Sequence, residues 1–159
     1  MKSTPASPTS GSESPKKAVV AVIAENKKLL VIRRSEHVIA PRALCFPGGG
    51  IESGESEQQA LVRELQEELD ITCIPDKRIW FCKTPWGTEV AWWAASLPAD
   101  AVLSGNEAEI EEIYWMTPSE MLDQDDLLSS NRSFLEAWRQ GEITWNLKLT
   151  SADLDDTSD

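Results

Sequence analysis

The chain has 159 residues, a length suited to one domain, and 41% apolar residues with seven tryptophans, enough for a core. Its formal net charge of −12 disfavours DNA or RNA polymers as partners, since binding to them relies on basic surface. No apolar run exceeds the seven residues 18–24, far short of a membrane span or signal-peptide core, so the expectation is a soluble, cytoplasmic protein without a membrane partner.

In chain order, residues 1–16 form a tail: eleven of the first fifteen residues are Ser, Pro, Thr or Gly, a composition that predicts disorder. A single domain is expected over residues 17–148. Within it, residues 18–24 read as a strand, Glu25-Asn26-Lys27 as a turn and residues 28–33 as the hairpin partner. A loop then runs to Phe46. It carries His37, the chain's one histidine, which without a Ser or Cys nucleophile motif reads as a loop residue. A helix is predicted over residues 56–69. Residues 78–83 and 89–96 are strand-like and flank the turn Thr84-Pro85-Trp86-Gly87. Residues 113–116 read as a short strand, residues 118–122 as a helical turn and residues 133–139 as a closing helix. Residues 149–159 form an acidic tail, also expected to be disordered. With +2 on residues 1–17 and −4 on residues 151–159, about −10 falls on the segment between. Cys45, Cys73 and Cys82 lack metal-ligand spacing and read as free thiols in a reducing compartment.

The helix over residues 56–69 carries the chemistry. Ser56 followed three residues later by Gln59 has the form of a capping box, and Leu61, Leu65 and Leu69 make one apolar face. At about 100° per residue, Glu64, Glu67 and Glu68 occupy a single arc beside that face. Like charges at these spacings cost an isolated helix about 0.2–0.5 kcal/mol per pair, so the cluster calls for a compensating cation. Oxygen ligands without histidine or thiolate favour Mg²⁺, or Mn²⁺ in its place, over zinc. Arg63, one turn before Glu67, is placed to brace that carboxylate by an ion pair rather than to react. Just upstream, Gly48-Gly49-Gly50 lets backbone bend through positive φ and approach a metal or ligand closely, while a loop feeding a helix start offers N–H groups to phosphate. Loop and acidic helix together point to water attacking a metal-bridged phosphoanhydride. An Arg-Glu-x-x-Glu-Glu string alone is usually a solvated helix face; Gly49 and Glu55 at fixed distances from it make the catalytic reading the stronger one.

These residues resemble the Nudix box, Gly-x5-Glu-x7-Arg-Glu-apolar-x-Glu-Glu-x-Gly-apolar. Here it reads Gly49-x5-Glu55-x7-Arg63-Glu64-Leu65-x-Glu67-Glu68-x-Asp70-Ile71, preceded by Phe46-Pro47-Gly48. The one departure is Asp70 in place of the second glycine, at a helix end where the left-handed conformation is usual and which Asp tolerates better than most residues. The resemblance implies an α/β fold, specifically an α/β/α sandwich with a mixed β-sheet, and Mg²⁺-dependent cleavage of a nucleoside diphosphate linked to another group. It further implies metal ligation by Glu64, Glu67 and Glu68, with Glu52 as accessory ligand, Gly48 close to the metal, Gly49 at the substrate, and Glu55 bracing loop to helix. Family members also add a glutamate from the segment before a late tryptophan, here residues 107–115. Glu112, three residues before Trp115, is best placed, with Glu109 and Glu111 left open. Either Glu112 or Glu64 is then the general base. The state expected is a monomer or a homodimer.

Outside the box the chain resembles the MutT-type nucleoside triphosphate pyrophosphohydrolases that remove oxidised dGTP. The likeness lies in the loop beginning at Arg33-Arg34, in residues 84–95, and in residues 127–132, which resemble that branch's segment with a base-reading asparagine. It makes Arg34 and Asn131 the base-recognition candidates, an amide offering both the donor and the acceptor that a guanine-like edge requires. Against this, Asn131 also suits a helix cap and Arg34 a surface charge. Trp86, Trp92 and Trp93 invite base stacking, but tryptophans on strands are more often packing. The substrate implied is a nucleoside triphosphate such as 8-oxo-dGTP. The alternatives are ADP-ribose, a nucleotide sugar or a dinucleoside polyphosphate, or a non-catalytic nucleotide sensor.

Overall fold

The computed structural model describes residues 15–145. The two expected tails, apart from residues 15 and 16, lie outside the described residues, as does the expected domain end at residue 148. Strands β1 (Lys17–Glu25) and β2 (Lys28–Arg34) form the expected hairpin. Its turn is closed by Asn26 and Lys27, both at positive φ (52° and 65°), the sense that matches the twist of antiparallel strands. Only the pairs Ala24–Leu29 and Glu25–Lys28 join β1 to β2 before the strands diverge. The rest of β1 lies between β6 (Glu89–Ser96), which runs parallel to it, and β4 (Gly48–Gly50), which runs antiparallel. Beyond the divergence, β2 pairs with β3 (Leu44–Cys45) and β7 (Ile110–Met116), and β5 (Ile74–Lys83) closes the other edge on β6.

Helix α1 (Glu57–Leu69) covers one face of this mixed sheet, and α3 (Ser129–Arg139) with the short α2 (Pro118–Leu122) covers the other, giving the α/β/α sandwich. Strand alternation sorts the core. Val19, Ala21 and Ile23 of β1 pack with Leu61, Leu65 and Leu69 of α1, while Val22 packs on the α3 side. Burial on both faces is why the stretch reads as a continuous apolar run. On the α3 side Trp92 stacks on Phe134 with ring centroids 4.9 Å apart and planes at 8°, and Phe46 meets both edge-on.

Several elements depart from the sequence expectation: β7, read from residue 113, starts at Ile110, and β3 lies within the stretch read as loop. The glycine run is a short strand rather than a loop, and within it only Gly48 has a positive φ, of 158°. A Cβ on Gly48 would stand 2.2 Å from the Val19 carbonyl oxygen, so glycine serves close strand approach here. Strand β5 starts at Ile74, four residues early, despite Pro75 and the charged run after it. An edge strand paired only with β6 tolerates both, and its register shifts near Pro75 and Arg78. Helix α3 also starts four residues early, at Ser129, with no side chain capping it. Conversely, the capping box of α1 is present in both directions, and Asp70 takes the left-handed conformation (φ 57°, ψ 40°). The Gln66 amide donates to Asp70 Oδ1 at 3.0 Å.

Candidate active site

The leucine stripe of α1 fixes the helix rotation, and with it the place of the acids. Glu64 and Glu68 line a cavity of about 200 Å³ beneath β4, together with Gly48, Gly49, Arg34 and Glu109. Glu68 is 6% exposed, and its Oε1 accepts from the Gly48 N–H at 3.1 Å. Burial, reinforced by the Glu64 charge, pushes the Glu68 carboxyl up to about 8. Burial also raises Glu64, against the opposing pull of Arg63. Gly49 lies against Glu64: a Cβ there would sit 2.3 Å from the carboxylate carbon. The N–H of Gly48, the glycine expected close to the metal, is taken by Glu68.

Arg63 is a hub rather than a brace for Glu67 alone. Its Nε and Nη2 hold Glu55 at 2.7 and 2.9 Å, its Nη2 reaches the Gly50 carbonyl at 2.9 Å, and its Nη1 holds Glu64 at 3.0 Å. Glu67 is a looser partner at 3.4 Å, on the exposed side of the helix. Glu55 ties the loop to α1 as expected; the Arg63 hydrogen bonds, with the N–H of Glu52, hold its carboxyl down at about 2. Glu52 is exposed, with its carboxylate 3.8 Å from Arg63 and outside the acid cavity.

Of the acids in residues 107–115, Glu109 lines the cavity with Glu64 and Glu68, whereas Glu112, the one preferred from sequence, does not. Glu112 pairs with Arg33 on β2 and faces the Tyr114 side of the sheet, away from α1. Glu109 reaches the cavity because the loop before β7 docks on the C-terminal end of α1. The backbone N–H groups of Ser104 and Asn106 donate to the carbonyls of Leu69 and Glu68, and the Asn106 side chain donates to that of Glu67. These caps satisfy helix-end carbonyls that otherwise lack partners. Ser35 secures the same loop by donating its N–H to the Glu109 carbonyl and its hydroxyl to that of Ala108. The sequence signal was Asn106, a capping residue three positions before Glu109.

The base-recognition candidates divide. Strand alternation turns Arg33 to Tyr114 and Asp126, and a bulge at Arg33/Arg34 turns Arg34 into the acid cavity, where its Nε also donates to the Ile39 carbonyl at 2.7 Å. Asn131 is buried, and its Oδ1 accepts from the Phe46 N–H at 2.8 Å. It therefore ties α3 to the chain entering β4 and caps no helix. Trp92 and Trp93 are buried as packing, whereas Trp86 is exposed. Trp86 borders a second cavity, of about 680 Å³, between the 84–88 turn, the loop after β2 and the start of α3. His37 is an exposed loop residue, and the three cysteines are free. Among the described residues no helix is long and apolar enough to cross a membrane.

Among the described residues, no three acid, histidine or cysteine side chains stand together as a ready metal cage. Glu64 and Glu68 nevertheless fit a hard divalent cation. They are two carboxylates crowded into one cavity, each raised by desolvation, and an ion of opposite charge would relieve that cost. Glu67 stands with Arg63 on the exposed side and does not line the cavity.

A family model described as the NUDIX domain matches residues 14–138. The chain is 38% identical over 92 residues to the 8-oxo-dGTP diphosphatase of Escherichia coli K12, a match covering 45% of this chain and 71% of that protein. It is 41% identical over 59 residues to the ADP-ribose pyrophosphatase of Methanocaldococcus jannaschii, covering 36% of this chain but only 33% of that one. The solution structure of the E. coli ORF135 protein superposes with a TM-score of 0.66 at 28% identity, over 83% of this chain and 94% of that one.

Proposed function

The chain belongs to the Nudix family of hydrolases, and from that premise we propose that it cleaves a nucleoside triphosphate to the monophosphate and pyrophosphate. The observation that carries this reading is the placing of buried Glu68 and half-buried Glu64 side by side beneath Gly48–Gly50, with Arg34 and Glu109 at the same cavity. Glu64 and Glu68, with Glu67, would hold Mg²⁺ or Mn²⁺, which would supply charge neutralisation and polarisation of phosphoryl oxygens. The chain's own residues do the rest. Gly49 leaves the space in which the Glu64 carboxylate stands, and the Arg63–Glu55 pair holds loop and helix in register. Arg34 presents a cation to the phosphates. A carboxylate at the cavity, Glu64 or Glu109, takes the proton as the water oxygen bonds to the β-phosphorus and the α–β bridging bond breaks.

An oxidised guanine nucleotide is the substrate favoured, supported by the likeness to the E. coli 8-oxo-dGTP diphosphatase. The Asn131 Oδ1 is committed to Phe46, so its contribution to the base is indirect, through the position of α3. The likeness to an ADP-ribose pyrophosphatase keeps that substrate as the second reading. The test is turnover by the full chain with Mg²⁺ against 8-oxo-dGTP, ordinary dNTPs and NTPs, ADP-ribose and diadenosine polyphosphates, with product identification and Glu68→Gln as control. Preferential 8-oxo-dGTP cleavage with pyrophosphate release is expected. Preference for ADP-ribose or a dinucleotide overturns the substrate while keeping the chemistry. Nucleotide binding without turnover in Mg²⁺ or Mn²⁺ makes the protein a sensor.

A further inference from the structure

Among the described residues, the two most exposed large apolar side chains are Ile39 (88%) and Trp86 (81%). They come from different loops, yet both border the 680 Å³ cavity, whose floor is formed by Trp80, Cys82 and Leu128. Leaving two such side chains in water gains nothing for the fold, so a shared cavity between them points to a ligand that covers both. That cavity adjoins the acid site through one loop: Val38 lines the acid cavity, Ile39 lines the larger one, and Arg34 at the acids holds the Ile39 carbonyl. A molecule with phosphates at Glu64 and Glu68 therefore passes beneath residues 38–40 and delivers its other end between Ile39 and Trp86. The volume suits a nucleoside and is far larger than a bare phosphate needs.

We propose that Trp86 and Ile39 form a clamp on the substrate's base, with the Trp86 indole stacking on one face, and that this clamp selects a two-ring base over a one-ring base. The inference rests on the reading that the acid cavity receives the phosphates. An indole overlaps a purine over more area than a pyrimidine, and base–aromatic stacks tolerate any base edge, so the clamp reads ring size while hydrogen bonds elsewhere read identity. Because Arg34 binds the Ile39 carbonyl, phosphate arrival at Arg34 and closure of the Ile39 side act on one loop.

The test compares the full chain with its Trp86→Ala and Trp86→Phe variants on purine and pyrimidine nucleoside triphosphates. Trp86 packs into no core, so both variants fold. The expected result for Trp86→Ala is a rise in KM of about tenfold on purines, within the range for loss of one base–aromatic stack, with kcat little changed and a much smaller effect on pyrimidines. Trp86→Phe recovers most of the loss. An unchanged KM, or equal losses on both base classes, overturns the clamp. If the wild-type protein turns over no triphosphate, the hydrolytic reading fails separately, and the clamp is judged by titrating GMP and CMP in EDTA. Tryptophan quenching by GMP that is present in the wild type and absent from Trp86→Phe sustains it; no such difference overturns it.

Discussion

Gly49→Ala and Gly48→Ala add the same methyl group one residue apart, and the structure assigns them opposite consequences. At Gly49 the new Cβ meets the Glu64 carboxylate carbon and Oε1, both at 2.3 Å. Ordinary contact begins near 3.4 Å, so the carboxylate must withdraw by roughly 1 Å, which its flexible stem permits. The backbone is untouched, but the carboxylate leaves its place at the cavity and its 3.0 Å contact with Arg63. A misplacement of that size in a reacting group costs about a hundredfold in rate, while stability changes by about 1 kcal/mol. At Gly48 the Cβ meets the Val19 carbonyl oxygen at 2.2 Å and Val20 Cα at 2.9 Å, backbone atoms that cannot swing aside. The β1–β4 pairing must open, at a cost of about 2–4 kcal/mol. Thermal melts and steady-state turnover on both variants decide the matter: Gly49→Ala melts within a few degrees of wild type but loses kcat, and Gly48→Ala loses the fold's stability first. Wild-type kcat in Gly49→Ala, or equal destabilisation by the two variants, refutes the reasoning.

Two further outcomes follow from the acids. Without metal, Glu68 titrates near 8 when folded against 4.5 ordinarily, so the folded state keeps a proton that the unfolded chain has lost. The stability that Glu68 contributes is then greatest below about pH 4.5 and declines as pH rises through about 8, by about 2–3 kcal/mol between pH 6 and 8.5. Urea unfolding in EDTA should show that decline in wild type and a much smaller one in Glu68→Gln, which keeps Glu64 and whose amide oxygen still accepts from Gly48; a flat wild-type profile contradicts the assignment. Glu109→Gln should lower kcat by about a hundredfold, as loss of an acid at the cavity does, whereas Glu112→Gln, on the far face of β7, stays within about twofold. Comparable losses in both would return Glu112 to the site.

What the sequence made legible was local. The capping box, the leucine stripe and the three box glutamates are fixed by spacings within α1, so the helix and its acidic arc could be read from residues 56–70 alone. The same spacing could not tell Glu67 from Glu68. Both lie on that arc, and only the sheet above it makes one a buried acid under Gly48 and leaves the other outside with Arg63. Glu109 and Glu112 differ likewise by long-range facts: which face of β7 each occupies, and a loop whose backbone caps α1. The glycine run looked like a loop because its partner β1 lies thirty residues upstream. The tryptophans divide on the same ground. Trp92 and Trp93 point to opposite faces of a strand with a helix layer on each side, so both are covered, whereas Trp86 sits in a turn with nothing above it. The acids of the box are thus written within one helix, while the cavity proposed for the base forms where separate loops meet: residues 39–40 and 84–86 border it only after β2 and β5 are placed in the sheet. A short contiguous pattern therefore fixes the reaction class and leaves the base open. The bonds that position Glu64 and Glu68 come from α1, β4 and Arg63, so those two acids are held independently of both loops, whereas Glu109 and Arg34 are tied to residues 35–43 through Ser35 and Ile39.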